Sequence, residues 1–428
     1  MRATERDATL ARAAEVIKAA TSHTKLLDAI AWPRRVEREF FARHAQSLPE
    51  PKNEVDRERI EESVRALTAL ESELEGEHVM LSWLRALARS HRDAHRLVLT
   101  MGTPAFYKLS VEIYGGARTT ALDHDTTNLD FARHILRRLE GVDRAQPATL
   151  DTGAAVERIE RRLANRPKPI SLTVVRDPDL SAKVICGMTK LRVREGAMFS
   201  RDEVEGLFDH EVETHALTAQ NGDAQAAFPL LRSGGPRSTR TQEGLAVFAE
   251  LYGHSLSSPR LARIATRVEL VGMAESGGSF LDVFRFLIDH GSDQHDAYLD
   301  AQRVFRGGSV EGGAPFTKDA CYLAGLVDVY NFLRVAVRAR ARSVGEALIS
   351  GRIALEDLDG ALRGIESAPA CGQNFRRFFR RARASLDVAR EGLGLHVARA
   401  AVHEHRPLAA GPTPRCAQLC DLGASHRS

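Results

Sequence analysis

Apolar positions recur every three to four residues through most of the chain, a period that predicts helices. Over residues 59–74, Ile60, Val64, Leu67, Leu70 and Leu74 fall on one helical face, and a second helix is expected over 78–99. Residues 99–116 break the period at Gly102, Pro104 and the Gly115-Gly116 pair. A loop over 144–152 leads into an Arg-rich helix that should end near Asn165. The period then changes to two. Ile170, Leu172 and Val174 alternate with Ser171 and Thr173, which predicts a strand, and 184–186 predicts another. Residues 190–194 alternate strictly, with Leu191 and Val193 on one face and Lys190, Arg192 and Arg194 on the other. This cationic strand is expected at the edge of a small sheet.

Ser200 and Glu203 match a capping box, in which each side chain satisfies an exposed amide of the first helical turn. The helix they start should turn Val204, Leu207 and Phe208 inward and run to about Gln220. Residues 232–239 read as a loop, and a strong helix is expected from about Thr241 to Gly253. The last third reads as helical except for the Gly-rich stretch 307–315 and a tail from Gly411, where Gly411, Pro412 and Pro414 are closely spaced. The fold class is therefore α+β, mostly helical, with a small sheet.

Composition narrows the function classes. The 428 residues carry 60 Lys and Arg against 57 Asp and Glu, a net charge of +3. A nucleic-acid coat protein would need a strong cationic excess. The 43% hydrophobic content is that of a globular chain rather than a disordered one. Five Cys with no CxxC pair argue against a disulfide scaffold. The first twenty residues lack the apolar core of a secretory signal, and no unbroken apolar run nears the roughly 18 residues of a spanning helix. We therefore expect a cytoplasmic protein with neither a membrane nor a nucleic-acid partner. Residues 374–390 form a basic amphipathic pattern with Phe375, Phe378 and Phe379 on its apolar side, which reads as a solvated helix packed through those rings.

The candidate chemistry lies in Asp209-His210-Glu211-Val212-Glu213-Thr214-His215. Imidazole and carboxylate are zinc ligands, and a catalytic site keeps three of them with one position open. A Glu beside the first His can serve as general base. The familiar HExxH motif spaces its imidazoles four apart on one helical face. Here they are five apart, which on an α-helix separates them by about 140°. An extra residue accommodated in a π-type bulge would realign them, so we expect a distorted helix between His210 and His215. Glu243, in Gln242-Glu243-Gly244-Leu245-Ala246, is the expected third ligand, at the opening of the next strong helix. Gly244 would let a neighbouring backbone come close. Glu250, two turns further along, could bond a ligand His from behind.

His210-Glu211-x-x-x-His215 followed by Gln242-Glu243-Gly244-Leu245 resembles the QEGLC-motif, or "flavohemoglobin expression-modulating", family, whose animal relatives are the microtubule-associated tyrosine carboxypeptidases. Ala31-Trp32-Pro33, residues 106–115, Phe316-Thr317-Lys318-Asp319 and Tyr322-Leu323 extend the resemblance over most of the chain. Ala246 stands where the family label has Cys, so a shared substrate does not follow. The resemblance implies zinc held by His210, His215 and Glu243, with Glu211 as catalytic base. We expect a helical region over 1–150, a zincin-like catalytic domain over 151–410 and a mobile tail over 411–428. The expected activity is a zinc metallopeptidase of the carboxypeptidase type, acting on the C-terminus of a peptide or protein. Arg240, Lys318, Arg192 and Arg194 are candidate cations for the substrate carboxylate, and Tyr322 a candidate hydroxyl for the developing oxyanion. Two other readings remain open at this stage: a non-enzymatic regulator with a structural zinc, and a partner-binding protein in which the two His are incidental.

Overall fold

The computed structural model of the chain describes residues 3–358 apart from 24, 122–124, 143–145, 179, 181, 226–229 and 339–341. The basic segment 374–390, the tail from Gly411, and Cys371, Cys416 and Cys420 lie outside the described residues. The described chain is mostly helical with one three-stranded sheet.

The two strongest helical patterns form the helices Arg57–Glu73 and Val79–Leu99. Asp56 caps the first by accepting from Arg59 N at 3.1 Å, and a ring nitrogen of His78 caps the second. Residues 99–116 contain a helix, Pro104–Tyr114, where the sequence suggested only a break. Pro104 occupies the first turn, where its missing N–H is no loss, and Gly115 ends the helix at a φ of 74°. The punctuating residues mark the ends of this helix, and Phe106, Leu109 and Tyr114 between them are buried.

The strands are β1 (Thr173–Asp177), β2 (Val184–Cys186) and β3 (Lys190–Arg194), in the order β1-β3-β2. The cationic strand is thus central rather than at the edge, parallel to β1 and antiparallel to β2. Its alternation reports a covered face and an open one. Leu191 and Val193 are buried against the Thr152–Ala164 and Arg201–Leu207 helices, while Lys190 and Arg192 stay exposed. β1 begins three residues later than the alternation suggested. Ser171 has its N–H and C=O taken by the side-chain amide of Gln220, at 3.1 and 2.7 Å, in place of a ladder partner.

The Ser200–Glu203 capping box forms as expected and starts Arg201–Leu207. The next helix, Pro236–Tyr252, begins well before Thr241, so the expected loop over 232–239 is shorter and Glu243 sits mid-helix rather than at its opening. This helix crosses Cys321–Arg338 at Gly244 and Gly325, where a Cβ on Gly244 would lie 2.1 Å from the Gly325 carbonyl carbon. Residues 318–338 are long and apolar enough to cross a membrane by length and composition, but 61% of that stretch is buried inside the fold. Val329, Phe332 and Ala336 pack with the Ala3–Ser22, Arg57–Glu73 and Val79–Leu99 helices. Leu323, Leu326 and Val327 pack with a second cluster that includes Trp32, Phe40, Phe280 and Tyr298. A helix gripped on two sides in this way is a rigid floor for whatever lies above its first turn.

Candidate metal centre

The helix that starts at Ser200 changes its hydrogen bonding at Phe208. Residues Phe208–Ala216 form a π-helix of nine residues, followed by the α-helix Leu217–Asp223. In π geometry the bonds run i→i+5, so residues five apart return to one face. His210 and His215 meet there with ring centroids 5.0 Å apart. The expected distortion between them is present and spans two turns.

A π-helix is rare and persists where its surroundings hold it. Here the braces come from outside. Arg162 donates to Asp209 at 2.8 Å and lies 4.0 Å over the Phe208 ring. Arg166 grips both oxygens of Glu213 at 2.8 and 2.6 Å. Ser255 donates to Asp209 at 2.6 Å.

Glu243 reaches this face from the Pro236–Tyr252 helix. Its Oε2 is 3.5 Å from His210 Nε2 and 3.6 Å from His215 Nε2, and the three potential ligand atoms lie within 4.8 Å of one another. Tetrahedral zinc with bonds near 2.0–2.1 Å would space its donors by roughly 3.3–3.4 Å, close to the two imidazole–carboxylate separations, and two imidazoles with a carboxylate are a donor set that such an ion takes. The other oxygen, Oε1, accepts from Lys318 Nζ at 2.8 Å. One carboxylate therefore presents one oxygen to the imidazoles and has the other pinned by a buried ammonium.

The far side of His210 is also fixed. Its Nδ1 is 2.7 Å from Glu250 Oε1, and Arg260 donates to both Glu250 oxygens at 3.0 Å. Burial alone would depress the His210 imidazole, but Glu243, Glu250 and Glu211 outweigh it and push its pKa up to about 9. Burial would likewise raise Glu243, yet Lys318 and the two imidazoles hold its carboxyl well below the usual range. Tyr322 stacks on His210 at 6.3 Å, with its hydroxyl 3.5 Å from Lys318 Nζ. Burial, then Glu243, raises the Tyr322 pKa and keeps it a neutral hydroxyl.

His210, His215, Glu243, Lys318 and Tyr322 are thus brought together, with half-buried Glu211 on the same π-helix. Other suspected residues lie elsewhere or are engaged within the fold. Arg240 donates to Asp328 at 2.6 Å, and Arg192 pairs with Asp177 at 3.3 Å. Arg194 ends β3, its carbonyl accepting from Thr152 at 2.8 Å. Two residues escaped the sequence reading. Arg260 comes from the first turn of the next helix, Ser258–Glu275, and its only local signal is a position just inside the Ser257 cap. Arg352 arrives from far along the chain and donates to the His215 carbonyl at 3.3 Å. No spacing rule could have linked either one to the two His.

A family described as "Microtubule-associated tyrosine carboxypeptidase" matches residues 38–367 of this chain. No curated protein matches it. Among solved structures, Trypanosoma cruzi metallocarboxypeptidase 1 aligns over 91% of this chain and 96% of its own, at 14% identity and a TM-score of 0.35.

Proposed function

The chain belongs to the microtubule-associated tyrosine carboxypeptidase family, and from that premise we propose that it is a zinc-dependent carboxypeptidase removing the last residue of a peptide or protein. The observation that carries this reading is the convergence of His210, His215 and Glu243 on one point, with Glu211 beside the first of them. Three such donors leave a fourth tetrahedral position open, the arrangement of a catalytic rather than a structural zinc. Zinc bound there would polarise the scissile carbonyl and acidify a water.

The chain's own residues would do the rest. Glu250, backed by Arg260, holds His210 with Nε2 toward the centre. Lys318 fixes the rotation of Glu243 through Oε1. Glu211 would take the proton of the attacking water and deliver it to the leaving amine. The Tyr322 hydroxyl is a donor for the oxygen of the scissile carbonyl as negative charge develops on it.

The test has two parts. Zinc content per chain is measured for wild type and Glu243→Ala; we expect one zinc in the first and a sharp loss in the second. Glu211→Gln should keep its zinc while peptide hydrolysis falls by about 10²–10⁴-fold. A folded wild type that takes up no zinc on reconstitution, or a Glu211→Gln variant near the wild-type rate, would contradict the reading.

A further inference from the structure

A carboxypeptidase must recognise a carboxylate beside its scissile bond, and three of the cations suspected from the sequence already have anionic partners. Arg240 is taken by Asp328, Arg192 by Asp177 and Lys318 by Glu243. Arg352 differs from all three. Among the described residues no carboxylate lies within ion-pair distance of its guanidinium. Its Nη2 donates to the carbonyl of His215 at 3.3 Å, which ties the group to the helix bearing both imidazoles. Its Nε is buried and makes no hydrogen bond. A guanidinium carries five N–H donors in a rigid fork, and in this half-buried one a buried N–H is left without an acceptor. A buried N–H in that condition is costly until an acceptor reaches it.

The surroundings point it toward the site. Burial lowers the Arg352 pKa, and Cys186, Glu243 and Glu211 oppose this, the last two as carboxylates. Edge strand β2 packs on the π-helix that carries Glu211, and Arg352 bonds that same helix at the His215 carbonyl. The stem of Arg352 is held in place. Its backbone N donates to Leu231 O at 2.8 Å, and Gly234, at a φ of 59°, leaves room that a Cβ would fill 2.8 Å from Arg352 Cδ. Arg306 also has a buried, unbonded Nε, but it lies over the Phe316 ring and answers to Arg303, Asp319, Tyr322 and Tyr114.

We propose that Arg352 holds the α-carboxylate of the substrate's last residue in a two-pronged pair, so that a free carboxy terminus is the feature this site selects. The proposal rests on the carboxypeptidase reading and adds the residue that imposes its exo-specificity.

The test uses full-length, zinc-loaded Glu211→Gln protein as a silent binder. Two fluorescent peptides, identical but for a free or an amidated C-terminus, are compared by anisotropy. The free acid should bind about 10- to 100-fold tighter, the range of a hydrogen bond to a charged group. Adding Arg352→Gln should erase the difference. Arg352→Lys should restore part of it, because an ammonium supplies the charge without the fork. With Glu211 intact, Arg352→Gln should raise KM for the free acid more than it lowers kcat. Zinc content and circular dichroism report whether each variant is folded, and Arg352→Lys carries the test if Arg352→Gln is not. Full retention of the preference in folded, zinc-loaded Arg352 variants would overturn the assignment and leave the peptidase reading intact. No preference in the zinc-loaded parent would overturn both.

Discussion

His210 is the residue on which the site turns, because both of its nitrogens are committed to carboxylates. Glu243 stands on one side and Glu250, anchored by Arg260, on the other. A hydrogen bond to the far nitrogen fixes the tautomer and the ring plane of an imidazole, which sharpens its aim at a metal. Glu250→Ala removes that bond without touching the three donor atoms. It should weaken zinc affinity by about 10- to 100-fold, as other such partners do, measured by competition with a chelating dye. Unchanged affinity would mean that packing alone orients the ring. The contact of Glu250 with His210 was legible in the sequence, since Glu250 lies two turns from Glu243 on one helix. The role of Lys318 was not. The sequence marks it as a cation near the site, but only the tertiary structure has Glu243 as its partner.

At the scale of elements, two features position the site. The first is the π-helix, expected because imidazoles five apart cannot share a face in an α-helix. Its length was not readable, because its braces at Arg162, Arg166 and Ser255 come from other segments. The second is the crossing of Pro236–Tyr252 over Cys321–Arg338. Neither Gly244 nor Gly325 tolerates a side chain, since a Cβ on Gly325 would lie 2.1 Å from the Arg240 carbonyl oxygen. Gly244→Ala should force the helices apart at the residue next to Glu243. The cost of such overpacking is about 1–3 kcal/mol, read as a lower unfolding midpoint in denaturant, and zinc affinity should fall with it. A variant with wild-type stability and zinc affinity would show that the crossing yields easily.

At the scale of the whole molecule, a buried ionic cluster beside the site ties together segments distant in the chain. Asp319, in the turn next to Lys318, accepts two bonds from Arg303, at 2.6 and 2.8 Å, and lies 4.0 Å from Arg267. Burial alone would raise its carboxyl, but Arg303 and Arg267 outweigh that and hold it far below the usual range. A depressed folded-state value contributes stability above the unfolded pKa, near 3.9, and loses it as the pH falls further. The thermal midpoint should therefore drop as the pH is taken below about 4. Asp319→Asn should lack that part of the acid response. At neutral pH it should also be about 3–5 kcal/mol less stable, because two buried cations lose their counter-charge. Equal stability of the two proteins at pH 7 would contradict this account.

The helical majority, the capped helix at Ser200, the strand at 190–194 and the distortion between His210 and His215 were all legible in the sequence. Each follows from local rules: apolar period, cap chemistry, or the angle between side chains a fixed number apart. What local rules could not supply was decided by distant partners. Gln220 satisfies Ser171 and so moves the start of β1. The position of β3 at the sheet's centre depends on which strands pair, and its own alternation is the same at the edge or in the middle. The length of the Pro236–Tyr252 helix was hidden because Gly234, Gly235 and Pro236 mark a loop and a helix start equally well. The site as a whole needed four stretches, around 210–215, 243–260, 318–322 and 352, to meet in space. The sequence named the candidate ligands in the first two. Only the packing of helices far apart in the chain brought up the charges that orient them, because an ion pair leaves no periodic trace in the sequence of either partner.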